Sequence, residues 1–164
     1  MISQVMQDAI NAQIKAELDS AYLYLSMAAY FDASNLPGFG HWMKFQAKEE
    51  YSHAMKFFGF LNERGGQVFL KALDEPESKF SSVVDVFERT YKHEQQVTAL
   101  INALYELALK EKDYPSQILL QWYVNEQVEE EAHASQILEM LKMAEGKSYA
   151  LIPMDAHMGK RAGN

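Results

Sequence analysis

An all-α four-helix bundle with one long crossover is the fold predicted for this chain of 164 residues. Three observations predict it. Proline and glycine punctuation is sparse and clusters at four places: Asn35-Leu36-Pro37-Gly38, Arg64-Gly65-Gly66, Asp113-Tyr114-Pro115 and Glu145-Gly146-Lys147. Between them lie four stretches of about 28 to 31 residues without internal proline, each about 40 to 45 Å long as a helix. Each stretch carries a single apolar seam whose steps alternate between four and three residues, the period of helices wound into a left-handed bundle and not of strands. Finally, the connections are short within each half of the chain and long between the halves.

The first helix starts at Ser3, a side chain suited to capping, and its seam runs Ile10, Ile14, Glu17, Ala21, Tyr24, Ala28, Phe31. In the second, Met43, Ala47, Glu50, Ala54, Phe57 and Leu61 line up, with Gly65 suited to the C-terminal end. Ser82 with Asp85 three residues on suits the start of the third, whose seam is Phe87, Tyr91, Glu94, Thr98, Ile101, Tyr105, Ala108. Pro115 suits the first turn of the fourth, which runs through Leu120, Tyr123, Gln127, Glu130, Ala134, Ile137 and Leu141 to a stop at Gly146. The short links make helices one and two, and helices three and four, antiparallel neighbours. The connection from Gly66 to Ser81 is long enough to traverse the bundle, so helices two and three are expected to be parallel. One domain over residues 1–164 is expected, with the bundle at about 4–145 and a tail at about 149–160 in which Pro153 opens a short fifth helix.

Composition narrows the function. Fifteen Lys and Arg against 23 Asp and Glu leave a formal charge of −8, which repels phosphates and argues against nucleic acid or an anionic membrane as partner. With no cysteine there is no disulfide, thiolate zinc site or iron–sulfur cluster, so any metal must be held by oxygen and nitrogen ligands. No stretch approaches 18 uncharged apolar residues, and Met1 to Gln13 lacks the pattern of a signal peptide; a cytoplasmic protein is expected.

Every seam is interrupted by a polar residue flanked above and below by apolar ones: Glu17, Glu50, Glu94, and the pair Gln127 and Glu130. One such residue fits a misplaced register; four together do not, because a lone buried carboxylate costs several kcal/mol unless paired, protonated or bound to a cation. Their spacings agree. Glu17 to Glu50 and Glu94 to Gln127 are both 33 residues, while Glu17 to Glu94, Glu50 to Gln127 and His53 to Glu130 are each 77, so the two hairpins are pseudo-equivalent halves with these groups at one level. Glu50 and His53, at i and i+3, project from one helix face and can grip one metal between them. A Glu from each of two helices plus an i, i+3 pair from each of the others is the ligand set of dinuclear carboxylate sites. Glu130 and His133 repeat the Glu-x-x-His pattern, but the 77-residue offset sets Glu130 opposite His53, which leaves His133 as a supporting or surface residue. One metal is thus expected at Glu17, Glu50 and His53, the other at Glu50, Glu94 and Glu130. Glu49, Glu126 and Glu129 lie one step off the seam as a hydrated, weaker cation site, and Glu131 is read as solvated. Tyr24 and Trp122 are read as packing residues close enough to bond a ligand or take up an oxidising equivalent.

These residues resemble the bacterial non-haem ferritins over Met1 to about Tyr149. The likeness is carried by Ala16-Glu17-Leu18 with Tyr24, Glu49-Glu50-Tyr51-Ser52-His53, Thr90-Tyr91-Lys92-His93-Glu94-Gln95, Asp113-Tyr114-Pro115, and Leu120 to Val124 running into Glu126-Gln127 and Glu129-Glu130-Glu131. The resemblance implies a ferritin-like bundle acting as a ferroxidase and iron store: Fe(II) oxidised by O2 inside each subunit, and ferric oxide deposited in a hollow homo-oligomer of 24 subunits. It implies a first iron at Glu17, Glu50 and His53, a second at Glu50, Glu94 and Glu130 with Gln127 beside it, and a third at Glu49, Glu126, Glu129 and Glu130. Haem-binding relatives carry a ligating Met directly after the glutamate of helix two; Tyr51 stands there, so no haem is expected. The tail after Gly146 departs most from the family pattern. Two other readings share parts of this evidence. A di-iron oxidase or peroxidase-type enzyme without mineral storage has the same bundle, but the chain has no spare domain for a partner. A metal-free interaction module leaves the seam glutamates unexplained.

Overall fold

The computed structural model describes residues 1–145 and 147–162 and contains five helices, with no strand among the described residues. Ser3 accepts a hydrogen bond from the Met6 N–H and opens α1 (Gln4–Ala33), while α2 (Pro37–Glu63) starts on its proline. Ser82 accepts from the Asp85 N–H at the head of α3 (Val83–Lys110). Asp113 accepts from the Ser116 N–H at the head of α4 (Tyr114–Ala144), whose first turn contains Pro115. Each cap satisfies a backbone donor that the first turn leaves free. Gly65, at φ 71°, takes the left-handed conformation that ends α2, where a side chain would be strained. The stop predicted at Gly146 lies outside the described residues.

The fifth helix differs from expectation. α5 (Ser148–Met158) begins a turn and more before Pro153, which lies inside it. Pro153 is the sixth residue of the helix, past the four N–H groups that the first turn leaves free, so α5 forgoes the bond that a residue there would donate to the Tyr149 carbonyl.

Two apolar clusters hold the bundle, one on each side of a polar layer. One gathers Phe31, Phe39, Trp42, Phe87 and Leu141; the other gathers Met6, Ile10, Phe57, Leu61, Ile101, Ala108 and Leu120. The end of α1 therefore meets the start of α2, the start of α3 and the end of α4, which makes α2 and α3 parallel. Phe31 stacks on Phe39 at 5.2 Å and Phe57 on Tyr123 at 4.0 Å; full burial of such side chains contributes about 1.5–3 kcal/mol each.

The crossover runs along α1. Asn11 donates to the Gln67 carbonyl (2.9 Å) and accepts from the Phe69 N–H (2.7 Å), Asp19 accepts from the Asp74 N–H (2.9 Å), and Ser26 donates to the Glu77 carbonyl (2.7 Å). Side chains of α1 thus satisfy the backbone of a segment that has no ladder of its own. The seams of α1, α2 and α4 are buried as predicted, except that Ile137 is half-buried beside a buried Leu138. In α3 the buried line passes through Thr90, Val97 and Leu104, and the predicted Tyr91, Thr98 and Tyr105 flank it half-buried. Both lines satisfy steps of three and four; the line taken inside carries the smaller side chain at Thr90 and Leu104 and the apolar one at Val97. No helix among the described residues is long and apolar enough to cross a membrane.

Candidate metal centre

The four helices bring Glu17, Glu50, His53, Glu94, Gln127 and Glu130 into the polar layer, each less than about a tenth exposed. The predicted i, i+3 pair is closely set: His53 Nδ1 lies 3.5 Å from Glu50 Oε2 and 4.0 Å from Glu17 Oε2. A cation bonded to oxygen and nitrogen at about 2.1 Å sets its donors roughly 3 to 4 Å apart, so these spacings suit ligands to a shared ion better than hydrogen-bond partners. Glu17 Oε1 accepts from Gln13 (2.8 Å), but Glu17 Oε2 is a buried oxygen with no hydrogen-bond donor. An unsatisfied carboxylate oxygen facing an imidazole nitrogen is costly without a cation and favourable with one.

Among the described residues, two trios offer ligand atoms within 4.8 Å of one another: Glu17, Glu50 and His53, and His53, Glu126 and Glu130. The two nitrogens of His53 serve the two groups, with Nε2 at 3.9 Å from Glu126 Oε1. The predicted trio of Glu50, Glu94 and Glu130 is not drawn together as tightly. Glu94 is turned to the protein instead, accepting from the Tyr24 hydroxyl and from the Gln127 amide (3.2 Å). Gln127 also reaches Thr98 Oγ1 at 3.3 Å, which holds it beside Glu94 as the spacing implied.

Burial is the first cause of the shifts at all four carboxyls, because it penalises charge. Glu17 is pushed well up, helped by the like charge of Glu50 and opposed by Gln13. Glu50 is pushed well up, with Glu94 and Glu130 adding to the effect. Burial also raises Glu94 against the pull of its Tyr24 and Gln127 hydrogen bonds. Glu130 is raised to about 8 by burial and then by Glu94, against the hydrogen bond from Gln46. Carboxyls that hold protons for want of positive charge are the groups that release them to a metal.

Of the weaker predicted cluster, Glu126 falls in a trio with His53 and Glu130, and the charge of Glu49 adds to the upward shift of Glu130. Glu129 is exposed, Glu126 leans toward His53, and Glu49 is ion-paired with Arg161. His133 is exposed. Glu131, read as solvated, is half-buried and accepts from Thr98 Oγ1 (2.6 Å). Trp122 meets the His53 ring edge-on at 5.4 Å and carries Lys56 Nζ 3.2 Å from its ring centre.

Three polar residues were not predicted from the sequence, two in this layer and one at its edge. Gln13 and Gln46 each stand one turn before a seam glutamate, and Gln46 donates to both Glu50 Oε1 (3.3 Å) and Glu130 Oε2 (2.7 Å). The signal was there: they share the 33-residue offset of Glu17 and Glu50. Arg161, from the tail, donates to Gln46 Oε1 (2.8 Å), and nothing in the periodicity points to it.

Four helices that turn carboxylates and one imidazole into a shared interior layer define a ferritin-like helical bundle with a candidate metal site. The ferritin-like domain family matches residues 7–144. A bacterial non-heme ferritin of Bacteroides fragilis is 40% identical over 98% of this chain and 100% of its own length, and one of Campylobacter jejuni is 43% identical over 87% and 86%. Among solved structures, an open-pore ferritin of the hyperthermophilic archaeon Archaeoglobus fulgidus is 50% identical with a TM-score of 0.97, covering 98% of both chains. A closed form of the same ferritin, engineered by site-directed mutagenesis, is 49% identical with a TM-score of 0.99 over 100% of both chains. The chain belongs to the ferritin family and groups with the bacterial non-haem ferritins.

Proposed function

We propose that this chain is an iron-storage ferroxidase: it binds Fe(II) within the bundle, passes its electrons to O2, and accumulates Fe(III) oxide-hydroxide inside a hollow cytoplasmic homo-oligomer of about 24 copies. The observation that carries this reading is the orphaned Glu17 Oε2 facing His53 Nδ1 at 4.0 Å beside Glu50. Glu17, Glu50 and His53 would hold the first Fe(II), and Glu130 with Glu94 and Glu126 would receive the second, with Glu50 shared between them. Iron here is substrate and cargo. Each Fe(II) gives up one electron to O2, and a shell dominated by hard carboxylates stabilises the Fe(III) formed. Protons displaced from the raised carboxyls leave as the metal enters. The net charge of −8 favours the entry of cations into the assembly.

Aerobic addition of Fe(II) in excess tests the reading. Oxidation should continue well beyond about two irons per chain and should collapse in Glu50→Ala. Oxidation that halts at two irons per chain would instead identify a di-iron oxidase without storage. Sedimentation gives a second check, since about 24 copies of an 18.8 kDa chain weigh about 450 kDa. A monomer or dimer in dilute neutral buffer would defeat the storage proposal.

A further inference from the structure

The C-terminal tail sends a cation into the edge of the metal centre. α5 folds back on the start of α2: Asp155 Oδ1 accepts from the Phe39 N–H (2.9 Å), and a side chain at Gly38 would lie 1.7 Å from the Asp155 carbonyl oxygen. That docking sets Arg161 beside Trp42, Gln46 and Glu49, three residues on one face of α2. The guanidinium lies 4.4 Å from the Trp42 ring centre and donates to the Trp42 carbonyl (3.4 Å), to Gln46 Oε1 (2.8 Å) and to Glu49. Its side chain is 18% exposed, so the charge is largely withdrawn from water.

Two consequences follow from the chemistry of arginine. It carries five donors and no acceptor, so Gln46 must present its oxygen to Arg161 and its NH2 to Glu50 and Glu130. Arg161 thereby fixes how the amide meets two carboxylates of the centre. It also neutralises Glu49, the carboxylate that the family pattern assigns to a third cation. We propose that Arg161 stands in for that third cation: a positioning residue that closes the outer site and limits each chain to two metal ions in the inner layer. The proposal rests on the metal centre described above but concerns a residue outside it.

Zn(II), which is redox-inert, separates the two when titrated calorimetrically into the metal-free, assembled full-length chain. The wild type should take up about two ions per chain and Arg161→Ala about three. Arg161→Lys, which keeps a cation at the site, should return the count to two, as should Arg161→Ala combined with Glu49→Gln, which removes the ligand. α5 is docked through Asp155 and Gly38 independently of Arg161, and an unchanged circular dichroism spectrum and assembly size would show that each variant is folded. Equal counts for wild type and Arg161→Ala overturn the proposal, as does a third ion that persists when Glu49 is also replaced. No Zn(II) uptake by the wild type would fail the metal centre itself, a result separate from a failure at Arg161.

Discussion

The hairpins α1–α2 and α3–α4 are matched in geometry and unequal in chemistry. The first supplies Glu17, Glu50 and His53, a complete trio that includes the imidazole and leaves one carboxylate oxygen without a donor. The second supplies Glu94, Gln127 and Glu130, and its carboxylates are already engaged: Glu94 by Tyr24 and Gln127, Glu130 by Gln46 of the first hairpin. A metal entering beside Glu17 gains a ligand that nothing else satisfies, whereas one entering beside Glu94 must compete with hydrogen bonds in place. Two pseudo-equivalent halves therefore build two unlike positions, and the half with the less satisfied ligands should fill first.

The largest effect should break that order. Glu17→Ala should weaken uptake of the first Zn(II) by more than about 100-fold, beyond the ~10- to 100-fold that loss of an outer partner costs, while Glu94→Ala leaves the first ion bound and weakens the second; calorimetry reads both. Equal losses in the two variants would show that the halves are equivalent. Next in size, Zn(II) at about 100 times its Kd should stabilise the chain by about 2.7 kcal/mol, a rise in Tm of several degrees that Glu50→Ala abolishes; differential scanning calorimetry measures it.

Gln46→Ala should cost less, weakening the second ion by about 10-fold with little change in the first, since Gln46 Nε2 lies nearer Glu130 than Glu50. The smallest effect lies where the hairpins join. Asp113 caps α4 and pairs with Arg64 at 2.9 Å, tying the end of α2 to the start of α4. Burial pushes its carboxyl up, but the hydrogen bonds from Arg64 and Ser116 outweigh that and hold it below the usual carboxylate value of 3.8. Because the folded chain holds this proton less tightly than the unfolded one, the contribution is present at neutral pH and is lost as pH falls through the lowered folded value. Asp113→Ala should therefore cost about 1 kcal/mol at pH 7 and progressively less in acid, read by urea unfolding across that range.

The helices were legible because length, punctuation and a 3.5-residue period are local quantities, and Ser3, Ser82, Gly65 and Pro115 act at the ends they mark. The seam glutamates were legible for the same reason, since burial along a helix is written in its period. Thr98 and Val97 could not be separated, because both satisfy a step of three or four and only packing against α1 and α4 selects one. Gln13 and Gln46 look like any polar residue one turn from a carboxylate until their 33-residue offset is set beside that of Glu17 and Glu50. Arg161 lies 115 positions from the amide it orients, and that contact exists only after α5 has folded back onto α2.

The sequence by itself determined four antiparallel and parallel helices, a crossover, and a level at which carboxylates and one imidazole face inward, because side-chain spacing along a helix dictates which groups share a face. Only the tertiary structure decided which oxygen of which glutamate is left unsatisfied, that His53 turns one nitrogen to each ligand trio, and that the tail's guanidinium occupies Glu49. Those outcomes depend on distances of a few Å between separate helices, where each donor can be used once and the competition for it is settled in three dimensions.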